Sequence, residues 1–113
     1  MTSFDYLSEN EKLAINNFCQ TLKERLGSRI SFFRVFGSKI KGTAELYSDI
    51  DIFILLDYID KQTKEFIFQA AYEANLSFNV VISPIIYEKS TFLRPAIQNS
   101  PFIKNVMKEG ILR

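Results

Sequence analysis

Apolar residues near the start of the chain recur at helical spacing: Ala14, Phe18, Leu22 and Leu26 fall four apart, with Ile15 and Cys19 widening the stripe. Ahead of them Ser8 and Glu11 have the spacing of a capping box, in which each side chain satisfies an orphan N–H of the first turn. Gly27 supplies a stop, because glycine takes up left-handed backbone without steric cost. The pattern then changes. Ile30-Ser31-Phe32-Phe33-Arg34-Val35-Phe36 is rich in aromatic and β-branched residues and ends at Gly37, which predicts a strand. A second strand is expected over Asp49–Leu56, with Ile50, Ile52, Ile54 and Leu56 on one face. Asp49 and Asp51 share the other face with Phe53 and Leu55. A strand that is apolar on both sides except at its start belongs in a sheet covered by helices. Asp60 then caps a helix whose Ile67, Ala70, Ala71 and Ala74 line one side. Phe78–Tyr87 reads as a third strand, placed at a sheet edge or bent there because Pro84 lacks a ladder N–H. A short helix is expected over Lys89–Gln98. A last one starts at Ser100-Pro101 and stops at Gly110. The order defines an α/β (α+β) fold: a small mixed β-sheet of three or four strands backed by helices, with residues 1–113 expected to form one domain.

Composition narrows the classes of function. The 113 residues are 47% hydrophobic, 24% charged and 14% aromatic, as in ordinary globular chains and unlike disordered or collagen-like ones. No apolar run approaches the roughly 20 residues that span a bilayer, so no membrane role is expected. The start of the chain lacks the basic-then-apolar pattern of a secretory signal. The single cysteine, Cys19, lies on the apolar stripe of the first helix and cannot close an internal disulfide, which fits a cytoplasmic protein. There is no histidine, which removes histidine-based catalysis and histidine metal ligands. Fourteen basic residues against thirteen acidic ones give +1, a balance that makes nucleic acid an unexpected partner.

The informative segment joins the first two strands: Gly37-Ser38, ten residues, then Asp49-Ile50-Asp51. Residues two apart on a strand point the same way. Asp49 and Asp51 would therefore project together and offer the hard oxygen ligands that Mg²⁺ prefers, with positions left for water and phosphate. Gly37 permits a sharp turn and a close approach to an anion. Ser38 adds a hydroxyl and an N–H at the start of a short helix. Lys39 and Lys41 could neutralise a polyphosphate, and Ser48 could orient Asp49. Taken singly, each has a plainer explanation: Gly37 as a turn glycine, Ser38 as a cap, the aspartates as a solvated strand start, the lysines as surface charge. Their joint spacing favours a site.

That spacing resembles the signature of the minimal nucleotidyltransferases of the DNA-polymerase-beta-like superfamily. The resemblance covers residues 30 to 87 and, more loosely, the ending from Ser100. It implies transfer of a nucleoside monophosphate, AMP from ATP, to an acceptor hydroxyl with release of pyrophosphate, assisted by Mg²⁺ or Mn²⁺. Carried over by position, Asp49 and Asp51 become the catalytic metal ligands, and Gly37 and Ser38, with Lys39 and Ser48 beside them, the nucleotide-binding residues. Members of this family often serve as the antitoxin of a HEPN-domain ribonuclease, some by adding AMP to a tyrosine of that toxin. Active members carry a third carboxylate on a neighbouring strand. Here the expected third position, between Phe78 and Val80, holds Asn79, and the strand has no acidic residue. A neutral amide can ligate a metal but cannot act as a base. Glu88 or Asp57 could substitute, or the chain could be an inactive relative that binds a partner protein and neutralises it by masking. Phe66 and Phe68 cannot both face inward beside Ile67, which suggests an apolar patch for a partner or for a second copy of the chain.

Overall fold

Ser8 and Glu11 form the reciprocal cap that their spacing predicts: the Ser8 hydroxyl accepts from the Glu11 N–H at 3.1 Å and Glu11 Oε1 accepts from the Ser8 N–H at 2.8 Å. They open helix α1, Glu9–Leu26, in a computed structural model that describes residues 2–44 and 48–112. The predicted stripe of α1 is buried, Cys19 included, and the helix stops at Gly27, whose φ is 53°. Strand β1 spans Ile30–Phe36, followed directly by a four-residue helix α2, Ser38–Lys41. Strand β2 is Ile50–Leu56. Asp49 therefore precedes the strand and does not open it.

Helix α3, Lys61–Phe78, is capped by Asp60, whose Oδ1 accepts from both the N–H and the hydroxyl of Thr63, at 2.8 and 2.6 Å. It continues a full turn beyond Ala74, so strand β3 is Ile82–Glu88 and does not start at Phe78. Two asparagines cause the shift. Asn79 takes the left-handed conformation (φ 53°, ψ 50°) that ends helices. Asn75 accepts the N–H of Val80 on its carbonyl and that of Ile82 on its side chain. Beyond β3 the expected single helix is two short ones, α4 (Lys89–Phe92) and α5 (Pro95–Gln98). Arg94, the residue before Pro95, is extended (ψ 133°) because the proline ring excludes the helical region there. Helix α6, Pro101–Glu109, starts on its Ser100 cap, and a two-residue strand β4, Ile111–Leu112, follows.

The sheet is mixed, in the order β3-β2-β1-β4, with β2 and β3 parallel and the other pairs antiparallel. Helix α3 makes the crossover that parallel pairing requires, and Pro84 lies on the edge strand β3. One face of β2 (Ile50, Ile52, Ile54, Leu56) joins the buried residues of α1 and α3 in the larger core. The other face (Phe53, Leu55) joins Phe92, Ile103 and Val106 in a second core under α4 and α6. There the fully buried Phe53 ring lies 6.0 Å from that of Phe32, 5.2 Å from Tyr87 and 6.0 Å from Phe92. No helix of the described residues is long and apolar enough to cross a membrane.

Candidate active site

Phe36 pairs with Asp51 in the antiparallel ladder, so the turn that follows β1 is brought against the first acidic side chain of β2. Gly37 occupies that turn with φ 90° and ψ −167°, a combination essentially reserved for glycine. A Cβ built on Gly37 would collide with Asp51 Oδ2. The absent side chain is what lets backbone and carboxylate touch. The buried Ile40 anchors the corner from within, and its carbonyl accepts the Ser3 N–H at 2.8 Å. Gly42 closes α2 in the left-handed conformation (φ 75°), and a Cβ there would lie 2.8 Å from the Tyr6 ring.

Asp49 is exposed and Asp51 half-buried. Burial, and then the charge of Asp49, raise the Asp51 carboxyl above its ordinary pKa. The two side chains thus concentrate negative charge at the sheet's end, in a setting that a divalent cation would relieve. Oxygen donors of this kind suit Mg²⁺ and Mn²⁺. Ser38 is half-buried at the same corner, its carbonyl accepting the Thr43 N–H at 3.3 Å.

The structure sorts the remaining sequence candidates. Lys39 and Ser48 line a neighbouring cleft of about 390 Å³ together with Glu11, Asn10 and Asn79. Lys39 Nζ lies 2.7 Å from Glu11 Oε2, and the two side chains are only 11% and 13% exposed, so the expected phosphate ligand holds an ion pair with α1. Lys41 is likewise paired, to Glu109 at 2.6 Å. Asn79 is not on a strand: it is the exposed C-terminal cap of α3. The residue that faces Asp51 across the β2–β3 pair is Ser83, half-buried and neutral. Glu88 and Asp57 cannot substitute, because Glu88 pairs with Leu56 at the far end of β2. Five residues of strand put that end roughly 17 Å from Asp51. Glu88 there accepts the Ile59 N–H at 3.3 Å. Among the described residues no group of three or more Asp, Glu, Cys or His is arranged to hold a metal ion. Glu11 and Ser83 escaped the sequence reading. Glu11 reads in the sequence as a cap alone, and Ser83 carries no sequence signal beyond being one polar residue in an apolar segment.

The family described as polymerase beta, nucleotidyltransferase matches residues 15–112, and the chain is a member of that nucleotidyltransferase family. Among its relatives is a protein named as a candidate protein adenylyltransferase of Methanocaldococcus jannaschii, 33% identical over 101 residues that cover 89% of this chain and 95% of the relative. Solved structures share the fold. A toxin–antitoxin structure with AMP-PNP aligns with a TM-score of 0.56 at 18% identity, over 86% of this chain and 69% of that one. The MntA–HepT toxin–antitoxin structure aligns at 0.52 and 15%, over 89% and 69%. A structure described as a candidate minimal nucleotidyltransferase aligns at 0.52 and 22%, over 93% and 96%.

Proposed function

We propose that this chain transfers AMP from ATP to a hydroxyl of a partner protein, and that the partner is a HEPN-class toxin for which it is the antitoxin. The observation that carries the reading is the contact between the Gly37 turn and the Asp51 carboxylate, because it puts backbone able to approach a phosphate next to a cation ligand. In the transfer, the acceptor oxygen bonds to the α-phosphorus and the bond from that phosphorus to the bridging β-oxygen breaks. Pyrophosphate leaves, and the hydroxyl proton passes to solvent. Asp49 and Asp51 would hold Mg²⁺ or Mn²⁺, which when bound neutralises charge on the triphosphate and the leaving group. Gly37 and Ser38 would hold the β- and γ-phosphates through backbone N–H groups and the Ser38 hydroxyl. Ser48 lies just before Asp49 and would fix the approach to it. Lys39 would act through Glu11 by bracing α2 on α1. The similarity to a candidate protein adenylyltransferase and the toxin–antitoxin neighbours support the choice of acceptor class.

The test is incubation of the purified chain with Mg²⁺, the protein encoded beside it, and ATP labelled either at the α- or at the γ-phosphate. Label should reach the partner from the α-position only, and Asp49→Asn or Asp51→Asn should abolish it. The lack of a third carboxylate favours a second reading: its expected position holds Asn79, and the residue that faces Asp51 across the β2–β3 pair is the neutral Ser83. In that reading the chain is an inactive module that masks its partner. A tight complex without label transfer, formed and neutralising equally well with Asp51→Asn, would establish it.

A further inference from the structure

The sheet face that carries Asp51 runs on into aromatic residues. Phe36, Asp51 and Ser83 form one row across β1, β2 and β3, and the row is half-buried. Side chains two apart on a strand share a face, so this row lies on the side of Phe53, Leu55 and the second core. At its border stands Phe102, the second residue of α6. The Phe102 ring centre is 5.6 Å from that of Phe36, 6.5 Å from Phe53 and 6.2 Å from Tyr87. Those neighbours lie in three successive rows, which centres the ring over Phe53, roughly 7 Å along the strand from Asp51. The residue is nevertheless 37% exposed. Ile103 and Val106 are the buried residues of α6, so the helix docks without it. Three aromatic contacts thus hold a flat apolar ring beside the acidic site and leave part of it open to water.

We infer that Phe102 is the residue on which the base of the bound nucleotide stacks. The inference rests on the nucleotide reading of the Gly37–Asp51 corner and adds the direction in which the nucleoside lies. Attack on the α-phosphorus is in line with the departing pyrophosphate. With the β- and γ-phosphates on Gly37 and Ser38, beside β1, the acceptor enters from the opposite side, over Ser83 and β3. The ribose then leaves the phosphorus across that line, and over the sheet the direction across it runs along β2 to Phe102. Of its three aromatic neighbours the ring lies closest to Phe36, which is joined to Gly37, so base and phosphates meet one continuous surface. An apolar ring reads the area of a base and not its hydrogen-bonding edge. Purine triphosphates therefore bind ahead of pyrimidine ones, ATP and GTP alike.

The test is calorimetric titration of ATP, GTP, UTP and inorganic tripolyphosphate into the chain with Mn²⁺ present. The wild type should bind ATP and GTP with similar strength and UTP on the order of tenfold more weakly. Phe102→Leu keeps apolar bulk and removes the flat ring. It should weaken ATP and GTP on the order of tenfold, remove the purine preference and leave tripolyphosphate unchanged, while Phe102→Tyr should keep the preference. Circular dichroism checks that both variants stay folded, and the wild-type comparison needs neither of them. Equal wild-type affinity for ATP and UTP overturns the inference, as does ATP affinity untouched by Phe102→Leu. Equal loss of ATP and tripolyphosphate in Phe102→Leu also overturns it, because the ring then acts through the shape of the corner. ATP bound far ahead of GTP overturns it as well, since that requires a group reading the edge of the base, as the Asn10 and Asn79 amides of the neighbouring cleft can. Tripolyphosphate bound without any purine preference faults Phe102 alone. A chain that binds neither tripolyphosphate nor ATP overturns the reading of the Gly37–Asp51 corner, and this inference with it.

Discussion

Gly37→Ala is the substitution whose effect the geometry fixes most closely. The native backbone at this residue (φ 90°, ψ −167°) lies in territory that side chains do not enter, and residues forced into such regions cost about 1–3 kcal/mol. The added methyl also collides with Asp51 Oδ2. Asp51 is half-buried, set between Phe36 on one strand and Ser83 on the other, so its carboxylate can yield only by leaving its rotamer, a further ~1 kcal/mol. The sum is about 2–4 kcal/mol. Gly27→Ala isolates the backbone contribution: φ there is also positive, at 53°, but nothing lies within 4 Å of the new Cβ. Urea unfolding should therefore show Gly37→Ala to be clearly the more damaging of the two. Titration with ATP and Mn²⁺ should show nucleotide affinity falling more than tenfold for Gly37→Ala and unchanged for Gly27→Ala. With Asp51→Ala in place the collision disappears, and the stability cost of Gly37→Ala should shrink toward that of Gly27→Ala. If the two glycine variants lose equal stability and both retain nucleotide affinity, the close packing of the turn on Asp51 is not a functional feature.

Three other outcomes follow from the same charges. Burial pushes the Glu11 carboxyl up, but the Lys39 hydrogen bond, the Ser8 N–H and the Lys39 charge together bring it below its ordinary 4.5. That stabilisation is complete above the unfolded pKa and is lost as pH falls through the lower folded value. Glu11→Gln should cost about 1.5–3 kcal/mol at neutral pH and flatten the acid limb of the urea midpoint against pH. Asp51 has the opposite sign: its raised pKa means that its ionised form weighs against folding as pH rises through the folded value. Asp51→Asn should therefore be slightly more stable than wild type at neutral pH, on the order of 0.5 kcal/mol by thermal unfolding, while losing cation affinity. Ser83→Asp would place a third carboxylate opposite Asp51 and should raise Mn²⁺ affinity, read by calorimetry, while lowering stability without metal.

Periodicity located the helices and strands well wherever burial alone decides the structure. The stripe of α1, the two-sided apolar character of β2, and the caps at Ser8, Asp60 and Ser100 all stand where the pattern puts them. The exit from α3 was less legible. Phe78, Val80 and Val81 suit a strand, but the side chain of Asn75 and the left-handed Asn79 hold the helix on and delay β3 to Ile82. That four-residue delay leaves Asn79, the expected third position, as the cap of α3 and sets Ser83 opposite Asp51, because strand register is a property of the pairing and not of either segment. The two-residue β4 is too short to leave a period. The approach of the Gly37 turn to Asp51 was legible for the same reason the fold was: the Gly37-Ser38 to Asp49-x-Asp51 spacing is local. The ion pair of Lys39 with Glu11 was not, since it joins residues 28 apart that only tertiary packing brings together.

The central claim, that Asp49 and Asp51 beside the Gly37 turn bring a divalent cation and a triphosphate together, is tested most directly by calorimetric titration of ATP into the chain. The account predicts binding with Mg²⁺ or Mn²⁺ present, none in excess chelator, and none with Asp51→Asn under either condition. ATP binding of equal strength in chelator, or retained in full by Asp51→Asn, would contradict it.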